Sequence, residues 1–337
     1  MTAVNYQQRR RGPGCLFTLI LLIAAVTALL WFLPAPPEDS MLATWFGGQA
    51  PEAGEDEFPS LSETWSEGSG SNKVVRIPLS GMILLGDSGG VFSPSGSSDM
   101  ALRSIRRATH DPEVKAIIME IDSGGGGITA SDILYKALLD FKASDAQRRV
   151  VTICGDMAAS GAYYIALASD RIIAHPTTIT GSIGVIIQTI NFRELAQRHG
   201  IADVTFKSGE NKDLLNPLGD LSTLEKEIVQ SVVNDMHQRF VGLVATHRRI
   251  PEADLAPLTD GRIFTAKNAV DLHLIDEIGY WQDAVKRTTE LLDVPDVIIY
   301  RYDESFSLFS LLRAASHLNP RSWFGDNTPR LQYRLSL

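Results

Sequence analysis

The chain has 337 residues, 44% apolar and 21% charged, enough for one large domain or two ordinary ones with a substantial core. Its net charge of −9 is uneven: residues 1–33 carry only Arg9, Arg10 and Arg11, residues 34–72 carry eight acids and no base, and residues 73–337 hold the remaining −4. Nothing in a folded part so mildly acidic suggests the basic face that nucleic-acid binding needs, so no nucleic acid is expected among its partners.

Residues 1–14 read as a short basic N-terminus. From Cys15 to Leu33 follow 19 residues without a charge, a length that nearly spans the roughly 30 Å hydrocarbon core of a bilayer at about 1.5 Å per residue. With Arg9–Arg11 before it, the stretch predicts a single transmembrane helix whose N-terminus stays in the cytoplasm and whose lipid contact anchors the chain. A cleaved signal peptide fits less well, because the apolar run is long and Pro34, Pro36 and Pro37 make a poor cleavage site. Everything after it is then extracytoplasmic, at the inner membrane. Residues 34–72, rich in Pro, Glu, Ser and Gly, read as a flexible acidic linker.

The pattern changes at Lys73. Strands are expected at 74–83, 114–122, 149–155, 171–176 and 202–209, alternating with helices at 98–109, 129–142 and 159–168. That alternation argues for βαβ units and a parallel sheet, an α/β fold. A long amphipathic helix is expected over 221–249, capped by Ser222 or Thr223 with Glu225 in its first turn. The folded domain is placed at 73–300, with residues 301–337 as an extension of no assigned role. Cys15 and Cys154 lie in an apolar run and a strand, so no bridge between them is expected. The seven histidines form no HExxH-type cluster, so neither a metal nor a cofactor is expected.

Four segments carry chemistry. Asp122-Ser123-Gly124-Gly125-Gly126-Gly127 follows a buried strand and precedes a helix, where glycines let backbone N–H groups approach a ligand. It lacks the lysine of a phosphate loop, so an oxyanion hole or a plain turn remains. Ala159-Ser160-Gly161-Ala162-Tyr163-Tyr164 places a serine among small residues at a strand-to-helix turn, a nucleophile or a helix cap. Thr180-Gly181-Ser182-Ile183-Gly184-Val185 is a small-residue turn. Lys207-Ser208-Gly209-Glu210-Asn211-Lys212-Asp213 carries two lysines, of which a general base must be held neutral.

In this order and spacing, the four segments resemble the signal peptide peptidase A (SppA) family in its short, single-repeat form. That resemblance covers roughly residues 74–290, including Asp260-Gly261-Arg262-Ile263-Phe264-Thr265 and Leu272-His273-Leu274-Ile275-Asp276-Glu277-Ile278-Gly279. It implies a Clp-protease/crotonase-like core of repeated ββα units and a serine peptidase with a Ser–Lys dyad. By resemblance Ser160 is the nucleophile and Lys212, 52 residues on, its general base. The N–H groups of Gly125 and Gly161 hold the oxyanion, Ser182 supports the lysine, and Lys207 is a solvated decoy. The resemblance also implies peptide substrates such as signal peptide remnants, and a homo-oligomeric ring or dome in which the dyad forms within one chain or between two. Three positions depart from the family pattern: Gly124 for proline, Ala162 for glycine and His273 for glycine. A Ser–His–Asp triad using His175 or His199 is the chemical rival. A crotonase-like enzyme or a catalytically silent membrane scaffold would share the fold.

Overall fold

In the computed structural model, residue 59 and residues 61–86 and 97–304 are described. The expected membrane span at 15–33, the linker up to residue 58 and the tail from residue 305 lie outside the described residues. Among the described residues, no helix is long and apolar enough to cross a membrane.

Parallel pairing dominates a nine-stranded sheet. Its centre is β2 (Lys73–Ser80), β3 (Val114–Ser123) and β4 (Arg149–Ala159), joined by α1 (Ser97–His110) and α2 (Ile128–Ala143). After β4 come α3 (Gly161–Ala166), β5 (Arg171–Ala174) and β6 (Ile179–Gly181), then α4 (Arg193–Arg198) and the long α5 (Thr223–Arg248). The rest is α6 (Glu252–Leu255), β7 (Ile263–Thr265), α7 (Ala266–Asp271), β8 (Glu277–Ile278), α8 (Trp281–Leu292) and β9 (Ile298–Glu304). With β1 (Leu61–Gly68), the strand order is β1-β9-β2-β3-β4-β5-β8, and β6 lies along the end of β4 with β7 beyond it.

The central strands are covered on both faces, which is why they read as unbroken apolar runs. Along β3 the pleat sends Ile117, Met119 and Ile121 into the larger core, with Ile105 of α1 and Leu134, Leu138 and Phe141 of α2. Ala116 and Ile118 face the other way, into a smaller core closed by Ala284 of α8. Helix α5 carries the expected cap: Ser222 Oγ accepts from Glu225 N, and the Glu225 carboxylate accepts from Ser222 N. It docks on α2 and α3 through Arg239, which donates to Asp132 and to the Tyr164 hydroxyl, while Tyr164 itself donates to Asp132 at 2.6 Å.

Two expectations fail. Residues 61–68, read as linker, form β1, which pairs antiparallel with β9 from Leu61↔Glu304 to Gly68↔Ile298. Their acidic composition hides the pairing; Glu63 is held by Lys73 at 2.7 Å. Conversely, residues 202–209 form no strand. Val204 and Phe206 have β-forming side chains, but no neighbouring strand offers them a half-buried surface, and Phe206 is 96% exposed.

Candidate active site

The site begins with a change of partner along β4. Up to Cys154 this strand pairs with β5, and from Met157 it pairs with β6, Ala159 opposite Gly181. The extra residues between Ile121↔Cys154 and Ser123↔Ala158 form a bulge on the β3 side. Asp122 pins it by accepting from Met157 N at 3.0 Å, and Thr178 donates to the Gly155 carbonyl at 2.6 Å. This bulge carries β4 past its expected end at residue 155 and delivers the next residue, Ser160, at the strand's tip.

Ser160 stands at φ 54° and ψ −122°, outside the usual regions for an L-residue. Such strain costs about 1–3 kcal/mol and persists only where neighbours fix it. Here Ser160 N donates to the Gly181 carbonyl at 2.8 Å, and the Ser160 carbonyl accepts from Tyr164 N at 2.9 Å. The serine is therefore a sharp strand-to-helix elbow, with the first N–H of α3 beside it.

Gly125 and Gly161 are glycines for steric reasons. A Cβ on Gly125, at φ +101°, would lie 2.8 Å from Gly161 N and 2.9 Å from the Ser160 Cβ. A Cβ on Gly161 would lie 2.3 Å from Ser131 Oγ. The glycine turn thus touches Ser160 directly. Gly161 N–H has no hydrogen-bond partner among the described residues, as an oxyanion donor requires. Gly125 N–H differs from the expectation: it donates to the buried Ser123 Oγ at 3.0 Å. Ser123 is the residue that sequence reasoning passed over. The signal for it was a serine two residues before the donor, the spacing of a serine turn.

Ser182 follows Gly181, the residue that holds Ser160. It sits at φ 50°, and its N–H donates to the Arg262 carbonyl at 2.8 Å. The structure therefore gathers Ser160, Gly161 and Gly125, with Ser182 one residue from the contact. Lys212 makes no contact with them that the structure shows among the described residues. It lies on an exposed turn, and its amine makes no hydrogen bond or ion pair among the described residues. Lys207 is engaged instead: its amine donates to the Glu210 carbonyl at 3.0 Å and pairs with Asp213 at 2.7 Å. That hydrogen bond to Asp213 raises the Lys207 pKa, the wrong direction for a base. The histidines of the rival triad are elsewhere. His175 packs edge-on against Tyr280, and His199 is exposed at the end of α4. Cys154 is buried with its thiol pushed up to about 12, so it offers no rival nucleophile.

The comparisons with known proteins converge on one family. The family model described as Peptidase family S49 matches residues 142–295, a span that contains Ser160, Ser182 and Lys212. A putative signal peptide peptidase SppA of Enterococcus faecium is 32% identical over 271 residues, 80% of this chain and 75% of that protein. A putative protease of Synechocystis sp. is 33% identical over 63% of this chain and 72% of its own length. Protease 4 of Haemophilus influenzae is 28% identical over 79% of this chain, a match that covers 44% of that longer protein.

Proposed function

This chain belongs to the S49 family of serine peptidases, and on that premise we propose that it cleaves peptides with Ser160 as nucleophile and Lys212 as general base. Ser160 Oγ attacks the scissile carbonyl as the neutral lysine takes its proton. The lysine then gives that proton to the leaving amine, and water releases the acyl-enzyme. Gly161 N–H and Gly125 N–H stabilise the oxyanion, each donor contributing about 3 kcal/mol. Ser182 orients the lysine amine. Lysine suits the role because a long flexible stem can carry its amine to the serine and its pKa falls readily on burial.

The observation that carries this reading is the strained Ser160 elbow against Gly125, with the Gly161 N–H free beside it. The fold is read as the Clp-protease/crotonase type. The exposed position of Lys212 is read as half of a site completed by a second copy. Residues 186–206, on the same side of the sequence as the lysine, expose Ile186, Ile190, Phe192, Leu195, Val204 and Phe206. So much apolar surface suits a homo-oligomeric ring or dome. The uncharged stretch 15–33 is assigned as the lipid anchor of a single-pass inner-membrane protein with its peptidase domain outside the cytoplasm. Substrates are then signal peptide remnants and other unfolded peptides near that surface.

The test is hydrolysis of a fluorogenic peptide by the full chain and its Ser160→Ala, Lys212→Ala and Lys207→Ala variants. Ser160→Ala is expected to be inactive. Lys212→Ala should lose roughly a hundredfold to ten-thousandfold in kcat. Lys207→Ala should stay within about tenfold of wild type, because it only pins the loop. Full activity in Lys212→Ala would refute the dyad.

A further inference from the structure

We infer that Ser123 is a positioning residue that masks the Gly125 oxyanion donor in the resting site and yields it to the substrate; this rests on Ser160 being the nucleophile. Ser123 closes β3 and is 3% exposed. Its hydroxyl has one proton, donated to the Gly81 carbonyl at 2.6 Å, and its lone pair takes the Gly125 N–H at 3.0 Å. Both halves of the hydroxyl are therefore in use. The remaining atoms of the turn are fixed from the other side. The Gly125 carbonyl accepts from Ile83 N at 3.0 Å, and Gly127 N donates to the Ile83 carbonyl at 2.8 Å.

The planar trans peptide points the Gly126 N–H away from Ile83. Gly126 N lies 3.3 Å from where a Cβ on Gly161 would stand. At rest, then, the N–H groups of Gly126 and Gly161 are unengaged among the described residues, while that of Gly125 is occupied. A substrate carbonyl entering beside Ser160 must win the Gly125 N–H from Ser123. Gly124 makes that a small movement. It stands where the resembled family has proline, and a side chain there would meet only the flexible Met157 Sδ, at 3.3 Å. A rotation about Gly124 turns the Gly125 N–H from one acceptor to the other while the bonds to Ile83 hold.

An internal acceptor competes with the oxyanion and not with the rest of the peptide, so its removal has a distinctive signature. The probe is a peptide boronic acid, which forms a tetrahedral adduct on the serine, compared with the KM of the matching peptide substrate. Ser123→Ala in the full chain should bind the boronate about threefold to tenfold more tightly, the share of one neutral hydrogen bond. The KM should change less than twofold, and Ser123→Thr, which keeps the hydroxyl, should return both to wild type. Gly81 is exposed, so its released carbonyl is rehydrated. If Ser123→Ala proves unstable, Ser123→Cys keeps the size with a much weaker acceptor and should tighten the boronate in the same direction. Boronate affinity that is unchanged or weaker in both variants overturns the mask and leaves the nucleophile assignment standing. Retained hydrolysis in Ser160→Ala would instead overturn the nucleophile assignment, and the mask with it.

Discussion

Ser160 and His273 both adopt positive φ, at 54° and 59°, and the contrast between them separates strain with a use from strain without one. His273 sits at the end of a short helix, its carbonyl accepting from Arg248 Nε at 2.7 Å, where the resembled family has glycine because the turn needs a left-handed residue. Ser160 is forced into the same half of the map by bonds on both of its peptide groups, and the result sets its Cβ against the glycine turn. That turn tolerates change unevenly. Gly125→Ala would put a methyl within 3.0 Å of three atoms of residues 159–161, at φ +101°, and should cost about 1–3 kcal/mol of stability. It should also abolish labelling of Ser160 by a fluorophosphonate. Gly124→Ala, whose methyl meets only a thioether, should melt like wild type but label more slowly, because a side chain there restricts the rotation that frees the Gly125 N–H. Measuring the labelling rate beside the melting temperature checks both. The glycine run was legible in the sequence as a turn of close backbone approach, with an oxyanion hole as one of its two readings. Which of its N–H groups is engaged was not, because that depends on one hydroxyl rotamer at Ser123.

Most elements were readable because their burial imposes a period. The strands at 114–123 and 149–159 and the helices at 128–143 and 223–248 follow the expected runs, with ends moved by a few residues. Elements whose stability comes from a distant partner were not readable. The strand Leu61–Gly68 depends on pairing with Ile298–Glu304, more than two hundred residues away, and its acidic residues gave no apolar alternation. Its attachment is partly ionic: Lys73 on β2 donates to Glu63 on β1 and to Asp111 after α1, both at 2.7 Å. Burial alone would raise the Asp111 pKa, but the hydrogen bond from Lys73, one from Glu113 N–H and the charges of Lys73 and Arg107 outweigh it and hold it below 3.8. A carboxylate lowered on folding stabilises the fold above its ordinary pKa, and that contribution is lost as pH falls through the lower folded value. Asp111→Asn should therefore cost about 2 kcal/mol at neutral pH, nearer one charged hydrogen bond than a bare buried charge, because Lys73 keeps Glu63. Denaturant titrations at several pH values should show the gap to wild type constant above pH 5 and closing below the ordinary carboxylate range. A gap that persists unchanged into strong acid would remove the ionic explanation.

For the molecule as a whole, the described chain is a well-packed sheet that carries an ill-packed arm. Tyr163, Ile117 and Leu138 are fully buried in the core, whereas Ile186, Val204 and Phe206 stand 84%, 73% and 96% exposed around the segment that leads to Lys212. The sequence could not distinguish these two kinds of apolar residue, since apolar composition does not say which side chains their own chain buries. If the arm docks on a neighbour, the proposed Lys212 serves the Ser160 of another subunit, and defects in the two residues become complementary. Ser160→Ala protein retains a good lysine and Lys212→Ala protein a good serine, so each alone is inactive. Mixed in equal amounts and allowed to exchange subunits, they place an intact serine beside an intact lysine at about a quarter of randomly assembled sites, and activity should recover to about that fraction. The recovery should fall on dilution, as the wild type's activity should, and should vanish when Phe206→Asp is built into both partners. If the proposed pair instead forms within one chain, no mixing ratio restores hydrolysis, because each active site then carries its own defect.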